Sequence, residues 1–269
     1  MKTALNQPLS KRLTEIHPME GMRLIAVPTN LEDAVIINGS LPGGDIANPK
    51  DNPCVSMLTV EMLDEGTVTY SKKEIREKLE SLGASIEWES DSHRVGFTLR
   101  CLKKDASAVI NLLALLLSEP SFPTKDFSIV KSRLASQIDE DFEDTRYRAE
   151  TRFLQKLYPK THLNYRHDAA SLKKFILKTA RQDLVAFHKK TYGQADTIIT
   201  AAGDIDLSTL ADAFKKAFSF ARGTKTSPEQ GSTRAFATSA ETEIISVRDK
   251  TSADIYIGAP IGITKKHPD

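Results

Sequence analysis

Between Arg94 and Cys101 the side chains alternate: Val95, Phe97, Leu99 and Cys101 are apolar, while Arg94, Thr98 and Arg100 are polar. A period of two marks a β-strand with one buried and one solvated face. This feature narrows the fold more than any other, because a sheet of such strands needs covering on one side only. Helices layered on one face of an antiparallel or mixed sheet meet that need.

The same reading extends along the chain. Met22–Val27 and Ala34–Leu41 are two strands about a polar turn, the second placing Val35, Ile37, Gly39 and Leu41 on one face. Pro42-Gly43-Gly44-Asp45 breaks the chain, and Asn52-Pro53 suits the start of an amphipathic helix. Ser71 and Glu74 form a capping box for a helix stopped at Gly83. Ser85–Glu89 pairs with Arg94–Cys101 about Ser90-Asp91-Ser92, and Asp105 opens a strongly apolar helix ending before Pro120.

One long helix is predicted from about Lys125 to Tyr158, with Phe127, Val130, Leu134, Ile138 and Phe142 at helical spacing. Two shorter helices follow, around Ser171–Leu177 and from Thr179, capped with Gln182, to Gly193. A short strand at Thr197–Ala202 and a helix at Leu207–Phe218 complete the order ββαα, ββαααα, βα. The expected class is α+β, a mostly antiparallel sheet with helices packed on one face, rather than a doubly wound fold.

Residues 222–240, rich in Ser, Thr and Gly, read as a linker after a first domain at 15–221. The pattern then restarts. EIISVRDKTSADIYIGAPIG at 243–262 lies against RLIAVPTNLEDAVIINGSLPGG at 23–44, both being strand, polar turn, strand and a Pro/Gly break. Residues 241–269 are accordingly expected to begin a second, truncated domain of the same type.

Composition removes several function classes. Thirty-seven basic against 36 acidic residues leave no strongly basic stripe, so nucleic acid is not an expected partner. The apolar run Leu112–Leu117 is too short to span a bilayer. Cys54 and Cys101 have neither metal nor redox spacing. The opening MKTALNQPLSKRLTEI has no apolar signal core, which leaves the compartment open between periplasm and cytoplasm.

Few residues invite a catalytic reading. DEDFED at Asp139–Asp144 lacks the alternating ligands and central glycine of a calcium loop, and reads as a solvated helix face. His162 and His167 in HLNYRH lack a third ligand in sequence, and His17, His93, His188 and His267 are isolated. Serine nucleophile motifs, a Walker loop and G-x-G-x-x-G are absent. In VSMLTVEMLDEGT at 55–67, Leu58, Met62 and Leu63 form the core stripe of an amphipathic helix.

Three stretches, LTVEMLDEGTVTYSKKEIREKLESLGASIEW, YGQADTIITAAGDID and DKTSADIYIGAPIG, resemble the pitrilysin/insulinase family of zinc peptidases, the inverted zincins, across residues 20–265. The resemblance implies half-molecules of two similar α/β domains closing around a peptide chamber. The family's active half carries H-x-x-E-H, two zinc ligands at i and i+4 with a glutamate base beside the second. Alignment on Glu61–Thr67 puts Met57 at the first ligand, Val60 at the base and Glu61 at the second ligand. The window for the third ligand reads Gln137-Ile138-Asp139-Glu140.

A thioether is a poor zinc ligand and valine takes no proton, so the resemblance implies no catalytic residue and no metal in this chain. Zinc is expected instead in a catalytic half, in the same or a neighbouring polypeptide, as partner, with peptide as substrate. The strand Ala34–Leu41 is a candidate edge for pairing with a peptide. Two rival readings are a pseudo-peptidase assembly subunit without any role in proteolysis, and an enzyme of different chemistry using the acidic cluster or His162 and His167.

Overall fold

The computed structural model describes residues 8–29, 33–193, 195–218 and 240–260. A short helix α1 (Leu9–Arg12) and strand β1 (Thr14–Ile16) lead into β2 (Met22–Pro28) and β3 (Ala34–Pro42). Helices α2 (Val55–Val60) and α3 (Lys72–Ser81) precede β4 (Ser85–Ser90) and β5 (Arg94–Leu102). Then come α4 (Ala106–Ser118), α5 (Thr124–Asp141), α6 (Thr145–Leu157), α7 (Ala169–Lys178) and α8 (Arg181–Thr191). Strand β6 (Thr197–Gly203) and α9 (Leu207–Ala217) follow.

The six strands form one sheet in the order β1-β2-β6-β3-β5-β4. Only β2 and β6 run parallel; every other neighbouring pair is antiparallel. The α+β sheet is therefore mostly antiparallel, as expected, but two details differ from the reading of the sequence. β2 and β3 are not neighbours, because β6 is inserted between them. β3 is thus interior to the sheet and offers no edge to a peptide, whereas β4 and the three-residue β1 are the edges. The sequence carries no mark of this insertion, since a strand's neighbours are chosen by tertiary packing.

One face of the sheet is dry. Leu24, Ile37, Phe97, Leu99 and Ile199 pack with Val109, Ile110, Leu113 and Leu117 of α4 and with Leu210 and Phe214 of α9. Burying each such side chain contributes about 1.5–3 kcal/mol, so α4 and α9 together hold the layer on the sheet. Arg23, Asn38, Arg100 and Thr200 stand exposed on the opposite face. At Gly39 the ring of Phe97, its cross-strand partner, comes within 2.1 Å of where a Cβ would sit. The glycine makes room for the ring, and Trp88 meets the same ring edge-on at 6.2 Å.

A second core joins α2, α5, α7 and α8 through Leu58, Met62, Phe127, Val130, Leu134, Ile138, Ile176 and Leu184. Here the predicted long helix is two. α5 closes at Phe142, and the Asp144 carboxylate accepts the Tyr147 N–H at 2.9 Å to open α6. Aspartate competes for backbone donors and favours such a cap over a helix interior.

Helix starts were legible to different degrees. The Ser71–Glu74 capping box is present. α8 opens at Ala180, whose N–H donates to Asp183, and not at Thr179 with Gln182. Thr179 is committed elsewhere: its hydroxyl donates to the Phe175 carbonyl and accepts from the Asn52 amide. Asn52 lies two residues before the Cys54 cap of α2, accepting the Cys54 N–H at 3.1 Å.

The linker assigned to 222–240 lies outside the described residues except for Ala240, as do 261–269. Within 240–260 the expected strands form no ladder. The segment turns at Arg248-Asp249, where Asp249 has φ +59, and meets α6 through Glu241, Glu243, Asp254 and Tyr256. An isolated strand pair is marginal in water without a sheet to join. Among the described residues no helix is long and apolar enough to cross a membrane.

Candidate functional site

The positions aligned with the zinc motif lie on α2 and the turn after it. The Glu61 N–H donates to the Met57 carbonyl at 3.0 Å, so Met57 and Glu61 stand one helical turn apart. Met62 and Leu63 bond three residues back, to Thr59 and Val60, which tightens and ends the helix. Gly66 follows at φ +152, and the Thr67 hydroxyl accepts the Tyr70 N–H at 2.8 Å to hold the next loop.

Two of the three positions belong to the cores. Val60 is buried in the sheet-side cluster, and Met57 packs on the second one. The third, Glu61, reaches outward to α5, where the Arg133 guanidinium donates to its carboxylate at 2.6 Å. A cation already sits on the one remaining carboxylate. Exposed pairs of this kind contribute about 0–1 kcal/mol, so its weight here is chemical rather than structural. Arg133 went unnoticed in the sequence, although it stands four residues, one helical turn, before Gln137.

The third-ligand window is engaged in part. Gln137 donates to Asp141 at 3.0 Å, Asp139 pairs with Lys173 of α7 at 2.5 Å, and Glu140 is exposed. The acidic run Asp139–Asp144 is dispersed: Glu143 lies 3.8 Å from Arg148 and Asp144 caps α6. His162 stacks on Tyr158 at 4.3 Å and its Nδ1 accepts the Asn164 N–H, which leaves the proton on Nε2. His167 stands edge-on between Tyr165 and Phe175. Burial holds both imidazoles below their usual range. Among the described residues no three His, Cys, Asp or Glu side chains form a group able to hold a metal ion. A thioether, a valine and a paired carboxylate do not fit zinc.

Beside the degenerate motif, Glu65 is buried and its carboxylate is held by Lys72 at 2.5 Å. The pair lines an open hollow with Thr67, Tyr70 and Asp126. Burial, and then Glu65, push the neighbouring Asp64 carboxyl above its ordinary range.

This geometry can be set beside known proteins. Residues 29–167 match the family described as "Insulinase (Peptidase family M16)", and residues 178–269 match "Peptidase M16 inactive domain". The chain belongs to the insulinase family. This insulinase-family chain lacks the H-x-x-E-H of the active members. It is 24% identical over 222 residues to "Non-peptidase homolog YmxG" of Helicobacter pylori, covering 82% of this chain and 50% of that protein. It thus spans about half the length of the curated relative it matches.

Its fold is that of a peptidase M16 inactive domain from Pseudomonas fluorescens, with a TM-score of 0.70 at 20% identity, over 79% of this chain and 52% of that one. A protease from Helicobacter pylori is similar at a TM-score of 0.69 and 12% identity, over 80% and 52%.

Proposed function

We propose that this chain is a non-catalytic unit of an insulinase-type peptidase, closing part of a peptide chamber beside a zinc-bearing half and hydrolysing nothing by itself. The observation that carries this is the Glu61–Arg133 pair, with Met57 and Val60 turned into the cores. A guanidinium on the one carboxylate among the three aligned motif positions on and after α2 opposes a divalent cation, and without a bound cation no water is activated here. What such a unit contributes is enclosure: it keeps an extended peptide out of bulk water while the partner half acts. The sheet face bearing the exposed Arg23, Asn38, Arg100 and Thr200, with Ile25, Ile36 and Ile198 half-buried among them, is the surface this reading offers to such a partner.

The test is zinc content per chain with zinc added, followed by cleavage of an unstructured peptide with and without a zinc-bearing half. Expected are a ratio near zero, no cleavage by the chain alone, and faster cleavage by the mixture. A ratio near one, with cleavage abolished by a chelator, overturns the proposal. The similarity to a protein named a non-peptidase homologue favours a second reading, an assembly subunit outside proteolysis. It predicts a stable complex in which the partner's cleavage rate is unchanged.

A further inference from the structure

Helix α6 stands apart from the body it is counted with. Among the described residues none of its side chains joins the sheet-side core, the second core or the small cluster of Ile75, Leu112 and Leu116. Its phenylalanine is spent elsewhere: the Phe153 ring lies 6.1 Å from that of Tyr256, and a Cβ on Gly258 would come within 2.8 Å of it. Thr145, Arg152 and Lys156 follow one another by two turns and then one, so they share a face. That face meets residues 241–258. The Thr145 hydroxyl donates to Asp254 at 2.5 Å, Arg152 to Glu243 at 2.7 Å and Lys156 to Glu241 at 2.8 Å. Arg146 lies 3.8 Å from Asp254.

The ties of α6 to its chain neighbours are local. Tyr147 meets Phe142 edge-on at 5.0 Å, and Arg148 donates to the Phe142 carbonyl, both at the very end of α5. On the other side Arg166 pairs with Glu150 at 2.9 Å while its carbonyl accepts from Gln155, so the loop to Arg166 goes with the helix. An aspartate cap bounds each side. Asp144 accepts the Tyr147 N–H before α6, and Asp168 accepts the Ser171 N–H at 2.8 Å before α7. Residues just ahead of a cap lie outside the helical hydrogen-bond ladder, and such element ends are where a chain bends.

We infer that α6 is a docking helix and no part of the first domain's body. With the loop to Arg166 and residues 241–258 it forms one cooperative unit, held by charge pairing, that opens apart from both cores and is bounded at Asp144 and Asp168. Exposed ion pairs are individually weak, but several on one helix face act together, and the Phe153–Tyr256 contact sets their register. The second domain read at 241–269 is thereby seated on α6, and opening the unit breaks neither core.

Hydrogen exchange of the full chain, read by mass spectrometry, tests this. In Arg152→Glu/Lys156→Glu, α6, residues 158–166 and 241–258 are expected to exchange together about tenfold faster or more. α4, α5, α7 and β5 are expected to keep the parent's rates. Adding Glu241→Lys and Glu243→Arg restores the pairs with reversed sign and is expected to return all three segments to the parent's rates. That swap also controls for what the new glutamates do to the helix itself. The inference falls if 241–258 quickens and α6 does not, since the helix then belongs to the body. It falls equally if α5 or α7 quickens too, if the charge reversal changes no rate, or if the swap leaves the unit open. Zinc content and peptide cleavage are read separately, so the proposed function and this inference can each fail alone.

Discussion

His188 shows how a single residue couples this fold to pH. Its Nε2–H donates to the Leu117 carbonyl at 2.8 Å, and its ring lies 5.7 Å from Phe122 and 4.8 Å from Tyr192. Burial keeps its pKa below the usual 6.5, as it does for His162 and His167. Above about pH 6.5 folded and unfolded states are both neutral at these rings and nothing is lost. As pH falls through 6.5, the unfolded chain takes up protons that the folded one refuses, so stability declines until the folded pKa values are reached. Urea midpoints measured on both sides of that pH are expected to drop on the acid side, and less steeply in His188→Gln. An unchanged slope in the variant removes His188 from the account. The neighbouring motif is a contrasting case. Met57, Val60 and Glu61 are singled out in the sequence by their alignment with a metal motif, but Arg133 is not, because a surface arginine on an amphipathic helix looks like every other one.

Elements were legible where periodicity was local. β5, α4 and the Ser71–Glu74 start carry their pattern within a few residues, whereas the break between α5 and α6 turns on one cap at Asp144 and the strand order on contacts far apart in sequence. Gly44 belongs to the second kind. Nothing in Pro42-Gly43-Gly44-Asp45 announces more than a turn, yet this loop clasps the β4–β5 turn. Gly44, Asp45 and Ile46 donate their N–H groups to His93, Asp91 and Ser92. A Cβ on Gly44 meets the Arg94 nitrogen and the Asp91 oxygen at 2.4 Å, backbone atoms that cannot rotate aside. Gly44→Ala is expected to lower stability by about 1–3 kcal/mol, the usual cost of forcing atoms into a packed site. A denaturation midpoint equal to the parent's refutes the close approach.

At the scale of the whole molecule, stability is uneven. The sheet and its covering helices share deep cores, but α6 fully buries only Thr151 and holds Glu241, Glu243 and Asp254 of the following segment by Lys156, Arg152 and Arg146 ion pairs open to solvent. Salt at about 1 M shrinks the screening length to about 3 Å and weakens such pairs. Amide exchange in 243–258 and α6 is expected to quicken in high salt while α4 and β5 keep their protection; equal acceleration everywhere argues against a separate layer. The position of β6 between β2 and β3 has a temporal consequence. β3, β4 and β5 find one another within about seventy residues of chain, but Met22 waits for Thr197, its partner across the parallel pair. During translation the first strands emerge long before the one that joins them, so the sheet closes last along its middle seam. Folding of this chain is paced by that late arrival, and until then β2 and β3 present open edges that a chaperone has reason to cover.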